Sequence, residues 1–399
     1  MPDGLADLCA WYFEGCREPL LLPRDPLLIQ ALTRCLSGWD MRRGPAVSPN
    51  EALAVAEAAG PGRWQIASRY TDRPSTDLPV AAAVCALIAD LSLARLEASP
   101  ELLGLHAAAV ALEEGAFILT GPARAGKSTF ATRLARERDA SFICDDVLAI
   151  TQTNEAFSFG ISPRLRLPLP EGTGLDPLLT GADVLRDERY AYPLLHGALA
   201  GGRSCPLAAL VAVERHPDLP SGLYELSLED ALSLLLRQTL SRFDAAELAF
   251  DRLNSLAGLL PRARLICSDP DEGIALLRQW QNRRLSQDLP PAPLHAQPPE
   301  LPKLANARPN QVFCRLETAE LRRTGSRAWL WQPDEGEIWE LNPTAHALWE
   351  MLEIPGSTAE LASALSEIYP TSAQSDIEQD ISRCLAQLAA AGFLREIKK

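Results

Sequence analysis

A run of eight residues in the first third of the chain has the composition of a phosphate-binding loop. It reads Gly121-Pro-Ala-Arg-Ala-Gly126-Lys127-Ser128 and matches G-x-x-x-x-G-K-[ST] at every fixed position. Glycines let backbone N–H groups close around phosphate oxygens, and the positive end of a following helix adds to the attraction. Lys127 can reach the β- and γ-phosphates, and the Ser128 hydroxyl can ligate Mg²⁺. The motif therefore predicts a site for a nucleoside triphosphate and Mg²⁺.

The residues expected to contact the nucleotide are those of this loop and the first helical turn after it. An apolar run ending at Thr120 predicts a strand before the loop, and a helix is expected to open at Lys127, which is the context that the motif requires. The predicted nucleotide-binding residues are Gly121, Ala123, Arg124, Ala125, Gly126, Lys127, Ser128 and Thr129.

Two adjacent carboxylates follow the next buried run of the sequence. Asp145 and Asp146 come directly after Ser141–Cys144, eighteen and nineteen residues beyond Lys127. Neighbouring residues at a strand end point in different directions, so the two carboxylates are expected to have different roles. One would face the metal, for which Asp146 is the candidate, and the other would face the nucleophile. The alternative for Asp146 is that it only caps or solvates the turn.

A single histidine, His106, lies in the apolar run Leu105-His-Ala-Ala-Ala-Val110, on the strand before the loop strand. A lone histidine in such a run is more often a core residue with satisfied hydrogen bonds than a catalytic group. Its spacing alone therefore gives only a weak indication of function.

The surrounding elements predict an α/β domain with one central sheet. A hairpin is expected around Glu113-Glu114-Gly115, and the 3.6-residue periodicity of later segments indicates helices. The predicted strands are 64–70, 105–112, 116–120, 141–144, 147–151 and 207–213, and the predicted helices are 78–96, 127–138, 228–240 and 246–260.

A proline-rich segment divides the chain into two modules. Seven prolines lie between Pro290 and Pro309 without any periodicity, which favours an extended, semi-rigid spacer. The predicted domains are an N-terminal α+β lead-in region (1–100), a phosphate-loop domain (101–282), a Pro-rich linker (283–311) and a C-terminal α+β domain (312–399).

The C-terminal domain has the proportions of a winged helix. Two short strands, 328–332 and 338–341, are expected around the turn 333–336. Asn342 followed by Pro343 is typical of a helix start. Three helices are predicted, over 344–352, 358–369 and 375–391.

Composition excludes several classes of protein. The 38 basic and 52 acidic residues give 38 − 52 = −14 charges, which argues against a dedicated nucleic-acid-binding protein. The nine cysteines form no C-x-x-C pair, which makes a disulfide scaffold or a zinc site unexpected. The N-terminus lacks the pattern of a signal peptide, and the longest apolar run, 80–89, is too short to cross a membrane. We expect a cytoplasmic protein without a membrane segment.

The sequence from 100 to 152 resembles the HPr kinase/phosphorylase family and its HprK-related kinases. The resemblance rests on L-H-x-A-x-V at His106, on the loop G-x-x-x-x-G-K-S-T, and on the Asp145-Asp146 pair that ends a strand. It implies a P-loop kinase fold, ATP and Mg²⁺ as cofactors, and a protein serine as phosphoryl acceptor. It also implies catalytic roles for His106 and Lys127, Ser128 on the metal, and Asp145 as the base that takes the serine proton.

Two features of that family are not matched in this chain. The later glutamate ligand and the arginine-bearing loop have no clear counterpart, so the reverse phosphorylase activity is not carried over. The nearest basic candidates for charge neutralisation at the phosphoryl group are Arg164, Arg166 and Arg203. The family is hexameric, and a homo-oligomer stays open for this chain.

The C-terminal domain resembles the PqqD family. Trp329-Leu-Trp331, the run Leu341-Asn-Pro-Thr-Ala345, Leu348-Trp349 and Gly392-Phe393-Leu394 carry the resemblance, over residues 312–396. It implies that the domain recognises leader peptides of ribosomally made, modified peptides, and that the leader adds a strand to a sheet edge beside the third helix. Without the resemblance, core packing is the simpler role for the tryptophans. A DNA-binding winged helix is disfavoured because the third-helix segment is acidic.

Together the modules predict an ATP-dependent kinase for a Ser/Thr side chain of a precursor peptide that residues 312–399 capture through its leader. A tether raises the effective concentration of substrate, to the ~mM range for short linkers. One alternative is a nucleotide-regulated carrier or chaperone of the precursor. Another is an enzyme that activates a carboxylate or a small molecule by phosphorylation.

Overall fold

The computed structural model describes residues 8–24, 26–181, 184–216, 218–293, 307–333, 337–368 and 374–397. The chain divides into two compact units. The first unit comprises Met1–Ser227, Arg237–Ser241 and Leu256–Ala292. The second unit comprises Leu228–Leu236, Arg242–Ser255 and Pro293–Lys399. Among the described helices, none combines the length and the hydrophobicity needed to cross a membrane.

The first unit begins with a six-stranded sheet that two helices cover. The strand order is β3-β1-β2-β4-β5-β6, with β2 and β4 parallel and the other pairs antiparallel. The strands are β1 (Leu8–Phe13), β2 (Leu20–Pro23), β3 (Met41–Arg43), β4 (Ala54–Gly60), β5 (Arg63–Ser68) and β6 (Ser75–Leu78), and the helices are α1 (Pro26–Cys35) and α2 (Val80–Ala98). The helix predicted over 78–96 is α2, which is apolar on most of its surface and correspondingly buried.

One buried carboxylate of α2 makes the stability of this region depend on pH. Asp90 accepts a hydrogen bond from the Ser68 hydroxyl through Oδ1 (2.8 Å), while Oδ2 is buried without a partner among the described residues. Burial raises the pKa of Asp90 to about 6, against the opposing effects of Ser68 and Arg69. Asp90 therefore prefers to be neutral in the folded state. Its protonated form contributes fully to stability below the pKa of an unfolded aspartate, and this contribution is lost as the pH rises through about 6.

We expect Asp90→Asn to stabilise the protein at neutral and alkaline pH. The amide stays neutral at every pH and can still accept a hydrogen bond from Ser68. The cost of burying an ionised carboxylate, about 3 kcal/mol or less at about pH 8, is therefore removed. Chemical denaturation should show a clear gain at about pH 8 and a much smaller one at about pH 4.5, where Asp90 is mostly protonated in the folded state. Asp72→Asn, at an exposed position, is the control. An equal gain at both pH values would refute this account of Asp90.

The central sheet of the first unit has nine strands in the order β10-β8-β9-β16-β12-β11-β7, with β18 beside β16 and β17 beside β18. A smaller sheet has the order β13-β15-β14. The strands are β7 (Leu103–Leu105), β8 (Ala108–Leu112), β9 (Gly115–Thr120), β10 (Ser141–Cys144), β11 (Leu148–Ile150), β12 (Glu155–Phe157), β13 (Leu165–Arg166), β14 (Leu185–Arg186), β15 (Tyr190–Tyr192), β16 (Ser204–Glu214), β17 (Gly222–Glu225) and β18 (Arg262–Ile266). The helices that follow in the chain are α3 (Lys127–Leu134), α4 (Leu228–Arg237), α5 (Ala246–Leu259) and α6 (Pro270–Asn282).

Strand directions bring the predicted site residues to one edge of this sheet. β8 lies between β9 and β10 and is antiparallel to both, so β9 and β10 run in the same direction. The carboxyl ends of β9 and β10 therefore share an edge with the amino end of β8. The predicted phosphate-binding loop follows β9, and Asp145 and Asp146 follow β10. The strand expected over 105–112 is interrupted, and His106 lies in the break between β7 and β8.

The second unit contains two three-stranded sheets, β23-β19-β24 and β20-β21-β22. Its strands are β19 (Val312–Arg315), β20 (Glu320–Thr324), β21 (Arg327–Trp331), β22 (Ile338–Leu341), β23 (Gly356–Ser357) and β24 (Leu394–Ile397), and its helices are α7 (Pro343–Met351), α8 (Thr358–Ile368) and α9 (Gln374–Ala390). The Asn342 side chain caps α7 by accepting from the Ala345 N–H (2.7 Å). The turn expected at 333–336 lies outside the described residues from 334 onward.

Most of α4 and α5 also belongs to the second unit, although the sequence boundary at 282 placed both helices in the phosphate-loop domain. β21 is apolar on both faces. Ala328 and Leu330 face a core built by α7, α8 and α9, whereas Trp329 and Trp331 are fully buried on the opposite face. Phe250 of α5 covers both tryptophans, at ring-centroid distances of 5.6 and 5.3 Å.

Polar contacts also join α4 to the sheet that contains β21. Arg327 binds Asp230 of α4 and Glu340 of β22, and its Nη1 also donates to the Ser233 hydroxyl (3.1 Å). The linker prediction, 283–311, also differs at its start: Leu285 is buried in the core of the first unit, and the Trp280 indole donates to Ser286 O. Residues 294–306 of that prediction lie outside the described residues.

Candidate functional site

The predicted phosphate-binding loop, residues 121–128, depends on glycine where it leaves β9. Gly121 has φ +137°, and a Cβ at this position would lie 2.4 Å from the Val213 carbonyl oxygen on the neighbouring strand β16. A side chain is therefore excluded by backbone, which cannot move aside. Gly126 has φ +93° and precedes α3 as its N-cap residue, with no side chain to satisfy the first N–H groups of the helix. These donors are available to an anionic ligand.

Lys127 is the buried cationic residue of this loop. Its side chain is buried, and Nζ donates to the carbonyl oxygens of Gly121 (2.9 Å) and Pro122 (3.1 Å). Burial lowers the pKa of Lys127, and nearby Asp146 opposes that effect. The ammonium group therefore lies within the loop that would surround a phosphate. Ala123 and Arg124 are exposed at the tip of the loop, whereas Ala125 is buried and Thr129 half-buried.

Ser128 links α3 to the end of β10, because its hydroxyl donates to the Asp145 carbonyl oxygen (3.2 Å). This contact fixes the start of the helix beside the carboxylate pair. The two candidate metal-binding residues are therefore held near each other: Ser128 lies at the start of α3, and Asp146 follows the residue to which Ser128 is bonded.

Asp145 and Asp146 occupy different environments, as the sequence indicated for neighbours at a strand end. Asp145 is 5% exposed and Oδ2 accepts a hydrogen bond from the backbone N–H of Arg164 (2.9 Å). Burial, reinforced by the neighbouring charge of Asp146, raises the pKa of Asp145 to about 7. The Asp146 side chain is 34% exposed and contacts charged groups instead. A carboxylate whose pKa is raised in this way can accept a proton near neutral pH, as a general base requires.

His106 lies against Asp146 rather than against Asp145. Its Nδ1 is 3.5 Å from Asp146 Oδ1, and its backbone N–H donates to the Gln238 carbonyl oxygen (2.6 Å). Burial lowers the pKa of His106; Asp146 opposes this effect, while Lys127 and Arg164 add to it. A neutral imidazole with its proton on Nδ1 can donate to the Asp146 carboxylate. Such a contact would orient Asp146.

Of the three basic candidates named from the sequence, Arg164 alone has a contact with the carboxylate pair among the described residues. Arg164 Nη2 lies 3.3 Å from Asp146 Oδ2. Arg166 and Arg203 are exposed, and neither contacts Asp145 or Asp146 in that part of the chain.

A small cavity adjoins the carboxylate pair, and sequence reasoning missed the part of its lining that comes from α2. Its volume is about 30 Å³. Asp145, Asp146 and Arg164 line one side, and Cys85 and Ser92 of α2 line another. No motif marks Cys85 or Ser92, since the only signal in their segment is the apolar composition of a buried helix. The N-terminal region thus contributes to the surroundings of the site.

The residues present fit a magnesium–nucleotide complex. The loop and the start of α3 supply backbone N–H groups and a lysine, and a hydroxyl and a carboxylate are positioned next to them. Across the described ranges, no three His, Cys, Asp or Glu side chains cluster closely enough to hold a metal ion by themselves. Mg²⁺ in nucleotide sites needs only one or two protein ligands, because phosphate oxygens and waters complete its coordination.

The second unit matches a known protein family. Residues 321–394 match the family described as "Coenzyme PQQ synthesis protein D (PqqD)", which covers β21, β22 and the helices α7 to α9. No curated protein matches the chain. The match lies entirely within the second unit, at the positions from which the PqqD resemblance was inferred. The C-terminal part of the chain therefore contains a PqqD-like domain.

Proposed function

We propose that this protein is an ATP-dependent kinase that phosphorylates a serine or threonine side chain of a ribosomally made precursor peptide. The observation that carries the proposal is the shared sheet edge, where a loop with the phosphate-binding motif, the buried Asp145 carboxylate and the half-buried Asp146 carboxylate lie together. Those groups suit the binding of a nucleotide and the removal of a proton from an acceptor hydroxyl.

The proposed transfer needs little covalent chemistry from the protein. The acceptor hydroxyl attacks the γ-phosphorus, its proton passes to the Asp145 carboxylate, and ADP leaves. Lys127 would neutralise charge on the phosphates, and Ser128 and Asp146 would hold Mg²⁺, which would supply further neutralisation. His106 keeps Asp146 oriented through Nδ1.

Capture of the peptide is assigned to the PqqD-like domain. β22 is an edge strand of its sheet, pairing with β21 on one side. An extended leader could continue the sheet along the other side of β22, with backbone hydrogen bonds for affinity and side-chain pockets for selectivity. Trp339 on this strand is half-buried and packs edge-on against Phe393, just beyond α9. The one arginine of α9, Arg383, is paired with Asp380 (3.5 Å), which supports a peptide over a nucleic acid as ligand.

The experiment that tests the proposal uses the purified protein with Mg·ATP and the precursor peptide encoded nearest to it, read by intact-mass spectrometry. We expect a gain of one phosphoryl mass on the full-length peptide and a strong reduction for the same peptide without its leader. Lys127→Met should abolish the gain while leader binding, measured by fluorescence anisotropy, persists.

Two other outcomes would replace the proposal. An unchanged peptide mass with intact leader binding would favour a carrier whose nucleotide site regulates delivery. An unchanged mass together with an acyl phosphate trapped by hydroxylamine would favour activation of a carboxylate.

A further inference from the structure

Arg164 contacts both carboxylates of the candidate site through different groups. Its backbone N–H donates to Asp145 Oδ2 (2.9 Å), and its guanidinium Nη2 lies 3.3 Å from Asp146 Oδ2. No other described residue is bonded to both side chains. Asp145 and Asp146 are neighbours in the chain and repel each other when both are ionised, and Arg164 offsets that repulsion because its backbone N–H binds one carboxylate and its guanidinium lies beside the other.

The Arg164 guanidinium also contacts two groups other than the carboxylates. Nη1 is 2.8 Å from the Cys85 sulfur on α2, and the group lies over the Tyr190 ring of β15 at 5.4 Å. Its side chain is 23% exposed. A planar cation with partners on several sides is fixed in orientation, because each contact restricts a different direction. Moving it to a phosphate would break the contacts with Asp146 and Cys85 together.

We infer that Arg164 is a positioning residue, which fixes the Asp145–Asp146 pair for the reaction, and that α2 of the N-terminal region supports it through Cys85. The kinetic part of this inference rests on the proposed kinase function. The N-terminal region, for which the sequence indicates no function, thereby gains the role of supporting the site. Arg164 is then no longer a candidate for neutralising charge on the phosphoryl group.

The test compares Arg164→Gln and Arg164→Lys with Arg73→Gln, a matched change at an exposed arginine of the same unit. We expect Arg164→Gln to lower kcat about 10²-fold, as displacement of catalytic groups by about 1 Å does, while the Kd for a non-hydrolysable ATP analogue with Mg²⁺ changes little. Arg164→Lys should keep part of kcat, Arg73→Gln should keep nearly all of it, and Cys85→Ala should lose less than Arg164→Gln. Added guanidinium should restore part of the activity of Arg164→Ala.

A second measurement separates failure of this inference from failure of the proposed function. Hydrogen exchange of the free protein should become faster at residues 143–149 in Arg164→Gln and stay unchanged in Arg73→Gln, whether or not any peptide is phosphorylated. Unchanged exchange in that segment would overturn the inference. A loss of ATP-analogue affinity that parallels the loss of kcat would also overturn it, because Arg164 would then act on the phosphates.

Discussion

Replacing Asp145 by asparagine is expected to lower kcat for peptide phosphorylation by about 10²–10⁴-fold, the contribution of a positioned general base. The amide keeps the size of the side chain and can still accept from the Arg164 N–H, so the local structure should persist. What is lost is the ability to take a proton. Because no contact of the Asp145 side chain involves the phosphate-binding loop among the described residues, the affinity for Mg·ATP should stay near that of the wild type.

The measurement for Asp145→Asn is single-turnover transfer from ATP to the peptide, with nucleotide binding measured in parallel. Asp139→Asn is the matched control: it is an exposed carboxylate between α3 and β10, paired with Arg278, and losing a surface ion pair costs about 1 kcal/mol of stability or less. Near-normal turnover in Asp145→Asn would show that another group accepts the proton and would refute the base assignment.

The sequence allowed much of the site to be predicted because its motifs are local. A phosphate-binding loop requires a strand before it and a helix after it, and both are found, with β9 ending at Thr120 and α3 opening at Lys127. The position of Asp145 and Asp146 after a buried strand was equally readable. That β10 runs in the same direction as β9 depends on β8 lying between them, which is a matter of long-range pairing.

The contacts that cross from distant segments could not be predicted. Cys85 and Arg164 are far apart in the chain, and neither lies in a motif that would suggest a contact. The periodicity of 228–240 and 246–260 predicted two helices, found as α4 and α5, but a helical pattern does not say which surface its apolar side will cover. The alternation within β21 was visible in the sequence, yet it allowed one exposed face as readily as two buried ones.

The second large effect is expected from Phe250→Ala, at the contact that joins α5 to the PqqD-like domain. Phe250 is buried and its ring packs against Trp331 nearly in parallel and against Trp329 edge-on. Truncating a buried phenylalanine costs about 3–5 kcal/mol, because the transfer free energy is lost and a cavity remains. We expect the second unit to unfold at a lower denaturant concentration and leader binding to weaken with it.

Leu248→Ala is the matched control for Phe250→Ala, because Leu248 lies on the same helix and is 57% exposed, so its truncation should change stability by about 0.5 kcal/mol or less. Hydrogen exchange over β21 and β22 distinguishes local loss of this contact from general unfolding. Exchange there should rise in Phe250→Ala, while the segment carrying the phosphate-binding loop keeps its protection. If β21 keeps wild-type protection in Phe250→Ala, the PqqD-like domain is stable without its contact to α5. The domain boundary expected from the sequence would then describe the folding unit correctly.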